Sequence, residues 1–275
     1  MVLNHGERRG GRDVYLPPRQ GALRPSVPPP WIDKNSPIPM YYQIMSQLRE
    51  QISAGEYTVD DALPPERELV ETYQVSRMTI RQAISELVNE GILVRRKGIG
   101  TFVAPPKLEQ ALNSLTSFTE DMAQRGMKAG SRIISFKEMV PDPAIRKTLG
   151  LSAEDAVFEC VRLRLADEEP MALETTSLVA SICPGLRQED LENQSLYKVL
   201  TERWGIQLDH ATQSLEPILA PPYEAMLLHV APGSPLLLMH RVTYEQNGRA
   251  FEHVKSLYRG DRYKFVTELH RRAER

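Results

Sequence analysis

Apolar residues recur at helical spacing three times near the start of the chain. In "PMYYQIMSQLREQISAG", Tyr41, Ile44, Met45, Leu48 and Ile52 share one face, and Gly55 ends the run. "LPPERELVETYQ" follows, with Pro65 at a first helical position and Glu66 and Glu68 near the positive end of the helix dipole. Leu69, Val70 and Tyr73 supply its apolar side. After a short break Ser76 can cap a third helix, in which Ile80, Ala83, Ile84, Leu87 and Val88 form one stripe and Gly91 ends it. "ILVRRKGIGTFVA" then gives two short β-like runs around a glycine-bearing turn. Helix, helix, tight turn, helix and hairpin predict a winged helix-turn-helix over residues 36–104.

From about residue 113 the periodicity changes. A short helix, "TSFTEDMAQRG", leads to strand-like "SRIISFKEMV". "AVFECVRLRLAD" and "PMALETTSLVA" read as a hairpin, followed by helical "SLYKVLTERWG", strand-like "QLDHATQSLEPI" and helical "PPYEAMLLHV". "PLLLMHRVTYEQ" and "RAFEHVKSLYRG" flank Asn247 and Gly248, a signal for a two-residue hairpin turn. Strands joined mostly by hairpins, with helices between them, predict an α+β domain on an antiparallel sheet over 113–270. Pro105 and Pro106 open a linker over 105–112. Residues 1–35 are rich in Pro, Gly and Arg and poor in apolar side chains, so a disordered tail is expected there. Its arginines offer weak phosphate contacts at most.

The length of 275 residues suits two domains, and 41% hydrophobic with 25% charged residues suits soluble globular cores. Net charge is −2, so any nucleic-acid partner has to be argued from local clusters. The two cysteines, Cys160 and Cys183, form no CxxC pair, and the six histidines give no metal-ligand spacing. Neither a cofactor loop nor a nucleophile motif is present, no metal is expected, and no apolar run approaches a membrane span. A cytoplasmic protein that is not an enzyme is the expectation.

The third helix carries the first candidate chemistry. At about 100° per residue, Arg77 and Arg81 lie one turn apart on nearly one side, while Thr79 lies more than halfway round. A helix entering a DNA groove N-terminus first would present all of that turn. Arginine suits guanine edges and phosphate, threonine offers a hydroxyl or methyl, and the first turn begins behind Ser76. Arg67 is placed to grip the backbone, Arg95, Arg96 and Lys97 concentrate charge at the wing tip, and Gly98 lets that turn come close to DNA. Taken singly, each is also an ordinary solvated side chain.

The segment "PMYYQI…LPPERELVETYQVSRMTIRQAISELVNEGILVRRKGIGTFV" resembles the DNA-binding domain of GntR-family transcription regulators. That resemblance implies DNA contacts from Arg67, Arg77, Thr79, Arg81 and Gly98. Pro65 departs from the family, where a serine cap is common, but fits a first helical turn.

In "AVFECVRLRLAD", strand alternation puts Arg162 and Arg164 on the face of Phe158 and Cys160, with Val157, Val161, Leu163 and Leu165 on the other. Buried arginines want carboxylates or an anion, and Glu174 on the next strand is a possible internal partner. Ser117 and Glu120 have capping-box spacing, and Thr116, Ser117 and Thr119 could donate to a phosphate or carboxylate. "LTSFTEDM", "VRLR", the glutamate after it and "YRGDRY" resemble the effector domain of the HutC branch, also called UTRA. The fold implied is similar to chorismate lyase. The loop of Thr116, Ser117, Phe118 and Thr119 with Arg162 and Arg164 is then implied to hold the acidic end of an effector. Glu174, Ser195, Glu252 and Tyr258 would contact its polar body, with His240 and Arg241 as weaker candidates.

Together these readings predict a ligand-responsive bacterial transcription repressor. It would bind a palindromic double-stranded operator as a homodimer, controlled by a small acidic effector, either a phosphosugar such as an amino-sugar phosphate or a carboxylate. Two other readings remain open from the residues: a lyase-like effector domain with catalytic activity, and an architectural DNA binder without inducer.

Overall fold

The computed structural model describes residues 31–96 and 98–269. The N-terminal domain packs α1 (Met40–Ser53), α2 (Glu66–Tyr73) and α3 (Arg77–Asn89) around one core. The apolar stripes read from the sequence form it: Ile44, Met45, Leu48, Leu69, Tyr73, Ile80, Ala83, Ile84 and Leu87 are all buried together. Gln74 takes a left-handed conformation at the end of α2, which makes the turn into α3 tight. Ser76 then caps α3 through the Thr79 amide at 3.2 Å. β1 (Leu93–Arg96) and β2 (Gly100–Val103) form the antiparallel wing, and Ala62 bridges to Phe102 beside it.

Of the expected disordered tail, residues 1–30 lie outside the described residues. Residues 31–35 correct that expectation. The Trp31 carbonyl accepts from Gln47, the Asp33 amide donates to Gln43, and Ile32 packs on the core, so this stretch is tied to α1.

The stretch expected as a plain linker contains a strand, β3 (Leu108–Ala111). It pairs in parallel with β10 (Tyr263–Val266) near the C-terminal end. Between them stand α4 (Phe118–Gln124), β4 (Ala129–Met139), α5 (Pro143–Leu149), β5 (Val157–Ala166), β6 (Glu169–Val179), α6 (Leu196–Trp204), β7 (Leu208–Leu219), α7 (Pro222–Leu228), β8 (Pro235–Glu245) and β9 (Ala250–Arg259). Six of these strands form one antiparallel sheet in the order β4-β5-β6-β9-β8-β7. One face carries α4 and α6, packed on Phe158, Cys160, Leu178, Met171 and Met239. The other carries α7, packed on Leu163, Leu173 and Leu257. The strand parity expected for Arg162 and Arg164 holds.

Of the two hairpins expected in this sheet, β5–β6 forms as read and the turn at Asn247 and Gly248 differs. The tight two-residue turn falls on Asp167 and Glu168, both at positive φ (47° and 66°), between β5 and β6. At Asn247 and Gly248 only the glycine has positive φ, 81°, and strands β8 and β9 end at Glu245 and Ala250. The Asn247 side chain instead accepts from the Arg249 amide, which makes a wider loop than a two-residue turn.

Candidate DNA-reading surface and effector site

α3 presents its first turn outward because its apolar stripe begins only at Ile80. Arg77 and Arg81 are 69% and 53% exposed, enough to reach a partner outside the domain. Both are held by one carboxylate: Glu66 of α2 accepts from each at 3.2 Å. Burial alone would raise the Glu66 carboxyl, but the bonds from Arg77 and Arg81 outweigh it and hold it below the usual range. Exposed ion pairs of this kind are worth about 0–1 kcal/mol, so Glu66 aligns the two arginines without fixing them against a stronger anion. The Thr79 hydroxyl lies 2.8 Å from that of Ser76, which occupies both in the cap. Arg67 is exposed on α2.

At the wing, Arg95 donates to Ser85 at 2.9 Å, and Arg96 bonds Asp60 while lying over the Phe102 ring. Arg96 is thus turned into the domain, more than a freely projecting tip charge would be. Gly98 sits at φ 74°, the left-handed region the turn requires. Lys97 lies outside the described residues. Sequence reasoning missed two exposed apolar residues on the same surface, Met78 on α3 at 71% and Ile99 on the wing at 74%. Their signal was present: each is a large apolar side chain outside its element's core stripe.

In the second domain all ten predicted effector residues line one cavity: Thr116, Ser117, Phe118, Thr119, Arg162, Arg164, Glu174, Ser195, Glu252 and Tyr258. Arg241, a weaker candidate, joins them. His240 does not line it; its ring lies 3.4 Å from His253 instead, because alternation along β8 turns it away. Gln110, Leu196, Tyr197, Met239 and Val254 complete the wall.

The two central arginines differ. Arg162 and Glu174 sit opposite each other in register and form an ion pair at 2.5 Å, the arginine buried and the glutamate largely so. Burial alone would disfavour either charge, and the partner reverses that, so Arg162 is raised and Glu174 lowered. Arg164 has no such partner. It is 3% exposed, donates one bond to Thr119 at 3.2 Å and lies 4.7 Å from the Phe118 ring centroid. Burial, then the neighbouring Arg162, pushes it down to about 10. The Nε and Nη1 atoms of both arginines are buried without a hydrogen-bond partner among the described residues.

Glu252 accepts from Thr243 at 2.7 Å and from Tyr197 at 3.0 Å, and burial raises its carboxyl. The loop over the cavity is tied from several sides. Thr116 donates to Asp121 at 2.7 Å, Arg241 donates to the Thr116 carbonyl at 3.3 Å, and Ser195 donates to Ser117 at 3.3 Å. Ser117 and Glu120 form the capping box read from the sequence. Gln110 of β3 donates to the other oxygen of Asp121 at 2.6 Å, which links the loop to the strand that leads from the winged domain.

No helix among the described residues is long and apolar enough to cross a membrane. Nor do those residues contain a group of three or more His, Cys, Asp or Glu that could hold a metal ion.

The family described as "Bacterial regulatory proteins, gntR family" matches residues 40–103, and the UTRA domain matches residues 124–264. The chain is 48% identical over 240 residues to the transcriptional repressor NagR of Bacillus subtilis, covering 87% of this chain and 98% of that one. It is 32% identical to the histidine utilization repressor of Pseudomonas aeruginosa, over 83% of this chain and 90% of the relative. The crystal structure of PhnF from Mycobacterium smegmatis matches with TM-score 0.58 and 31% identity, covering 83% of this chain and all of that one. The chain therefore belongs to the GntR family, with a winged helix-turn-helix domain followed by a UTRA domain, and its work is transcription regulation rather than catalysis.

Proposed function

We propose that the protein is a repressor that binds a palindromic operator as a dimer and changes its grip on binding a small acidic effector, best matched by an amino-sugar phosphate. One observation carries the effector reading: Arg164 is a buried guanidinium with two nitrogens unpartnered and no carboxylate of its own. A buried cation is costly unless an anion meets it. Thr119 already accepts a bond from Arg164, and Ser117 and Thr116 line the same cavity. Three arginines, Arg162, Arg164 and Arg241, face two carboxyls, Glu174 and Glu252, so the cavity carries excess positive charge. A phosphate monoester of about −1.5 to −2 suits that excess better than a neutral sugar. The two carboxyls and Tyr258 supply acceptors for the hydroxyl and amine donors of a sugar.

The cavity is about 40 Å³, room for about three waters. Ligand pockets run to about 300–1,000 Å³, so the effector must displace the loop carrying Thr116 and Ser117. A groove of about 580 Å³ adjoins it, and Thr119, Ser195 and Tyr197 line both. Parting Ser117 from Ser195 would join the two spaces. The same movement pulls on Asp121 and so on Gln110 in β3, which gives the effector a route to the DNA-binding domain. The reading thus makes operator and effector affinities reciprocal.

On the DNA side, Arg77, Thr79 and Arg81 read or grip the groove, Ser76 holds the helix start, Arg67 meets the backbone, and Arg95, Lys97 and Gly98 form the wing contact. Two half-sites need two recognition helices, hence the dimer. The test is operator binding, on DNA selected from a random pool, with and without a panel of sugar phosphates and small acids. A sharp change in affinity with one amino-sugar phosphate supports the reading. Equal affinity across the whole panel, with calorimetry showing no heat of binding, overturns the effector assignment and leaves the DNA assignment standing.

A further inference from the structure

The segment "YRGDRY", residues 258–263, contributes only Tyr258 to the effector cavity. One of its remaining residues, Asp261, meets the other domain, and Gly260 and Arg262 meet the connecting segment. Gly91, just past the end of α3, has φ 75° and packs directly on the backbone of Asp261. A Cβ at Gly91 would lie 2.0 Å from the Asp261 carbonyl oxygen and within 2.9 Å of its Cα, where no side-chain atom fits. Two further bonds converge on the same turn. Lys107 donates to the Gly260 carbonyl at 2.6 Å, and the Leu108 amide donates to the Arg262 carbonyl at 2.7 Å.

The turn is braced from beneath. Arg259, 6% exposed, donates to both carboxylate oxygens of Asp261, to Glu169 at 3.0 Å and to the Pro170 carbonyl at 3.1 Å. Arg262 donates to Glu169 at 2.7 Å. Gly260 leaves no room for a side chain against the Pro235 carbonyl, 2.8 Å from where its Cβ would be. Such bracing gives a backbone knuckle that cannot give way when α3 presses on it.

We propose that residues 259–262 form a docking knuckle that seats the C-terminal end of the recognition helix on the effector domain and fixes the orientation of the winged domain. Tyr258 in the cavity and Asp261 against Gly91 are three residues apart on a stiff turn. The same seat therefore passes a shift of the cavity wall to α3. That second role rests on the effector reading above; the seat itself does not.

The experiment measures the distance between spin labels at Glu71→Cys and Lys147→Cys, exposed positions on the two domains. Labelled chains are diluted with unlabelled ones so that each dimer carries a single labelled copy. Gly91→Ala should replace one narrow distance with a broad, longer distribution. Gly55→Ala is the control, because it shares the left-handed backbone, φ 79°, but has open space around its Cβ. It should keep the wild-type distance. A folded Gly91→Ala protein with the wild-type distribution overturns the seat. Should that variant fail to fold, Lys107→Met takes its place, and an unchanged distribution there overturns it equally. For transmission, the ratio of operator Kd with and without glucosamine 6-phosphate should fall toward one in Gly91→Ala and hold in Gly55→Ala. A ratio unchanged in both overturns transmission, whereas a ratio of one in the wild type counts against the effector reading and leaves the distance result intact.

Discussion

Replacing Arg164 with methionine should make the protein more stable and nearly blind to its effector. Methionine matches the length and flexibility of the arginine stem and carries no charge. Arg164 is 3% exposed and keeps one hydrogen bond, to Thr119, with its ring contact to Phe118. Against these stand the desolvation of a full charge and repulsion from Arg162, which together lower it to about 10. Exchanging buried charged groups for well-packed apolar ones has stabilised proteins by about 1–4 kcal/mol. At about 2–4 °C per kcal/mol for a domain of this size, thermal unfolding should shift upward by at least about 2 °C. Effector binding should move the other way. Two unpartnered nitrogens offer two charge-assisted bonds of about 1.5–3 kcal/mol each, so the loss should exceed about 100-fold in affinity for glucosamine 6-phosphate.

Arg162→Met is the comparison that gives this test its force. It leaves Glu174 buried without its 2.5 Å partner, an arrangement that costs about 3–5 kcal/mol. Thermal unfolding with and without ligand reads both variants. If Arg164→Met falls in stability as Arg162→Met does, Arg164 is a structural residue and the anion site is wrongly placed. Full binding in Arg164→Met refutes it just as directly.

Other expectations concern the rest of the machinery. Arg77→Ala should cost about 1–3 kcal/mol on the selected operator and little on scrambled DNA in a gel-shift titration; equal loss on both would make Arg77 a phosphate contact. Gln110→Leu removes the 2.6 Å bond to Asp121, so operator binding should persist without effector while the response to effector shrinks; an unchanged response would show that the signal bypasses β3. Burial raises Glu252 above its unfolded value, so folding takes up a proton and wild-type stability falls as pH rises from about 4.3 through the folded value. Glu252→Gln keeps an acceptor for Tyr197 and Thr243 without the charge, and its gain in Tm over wild type should widen with rising pH; a constant gap would mean that Glu252 is not the titrating group.

The winged domain was legible because each helix carries its own 3.6-residue stripe and its own stop. Ile80, Ala83, Ile84 and Leu87 point to one core without reference to distant residues. The effector wall was legible in part for a similar reason: parity along β5 is local, and it placed Arg162 and Arg164 together. β3 was not legible. Four residues, "LEQA", show no alternation strong enough to compete with the prolines before them, and their partner β10 lies some 150 residues away. Gln110 and Tyr197 were missed with it, since a residue on a strand that cannot be seen, or on a helix whose approach is set by packing, has no face in the sequence.

The pairing of Arg162 with Glu174 marks where local reading stops. From the turn at Asp167 and Glu168, the register begins as Ala166 against Glu169 and Leu165 against Pro170. Continued unbroken, it would set Arg162 opposite Leu173, an apolar residue of the other face. Instead the register shifts by one between Leu165 and Arg164, so that Arg164 faces Ala172 and Arg162 faces Glu174. A slip of one residue exchanges the faces of a strand, and a bulge is the device that makes such a slip permanent. Pro170 lies at this place and has no amide to give to the ladder, which makes the interruption cheap there. The consequence is chemical. Because the bulge hands Glu174 to Arg162 and a small alanine to Arg164, one arginine has its charge paired within the sheet and its neighbour is left buried without a carboxylate and open to an anion. The asymmetry on which the effector site depends comes from a single extra residue in β6.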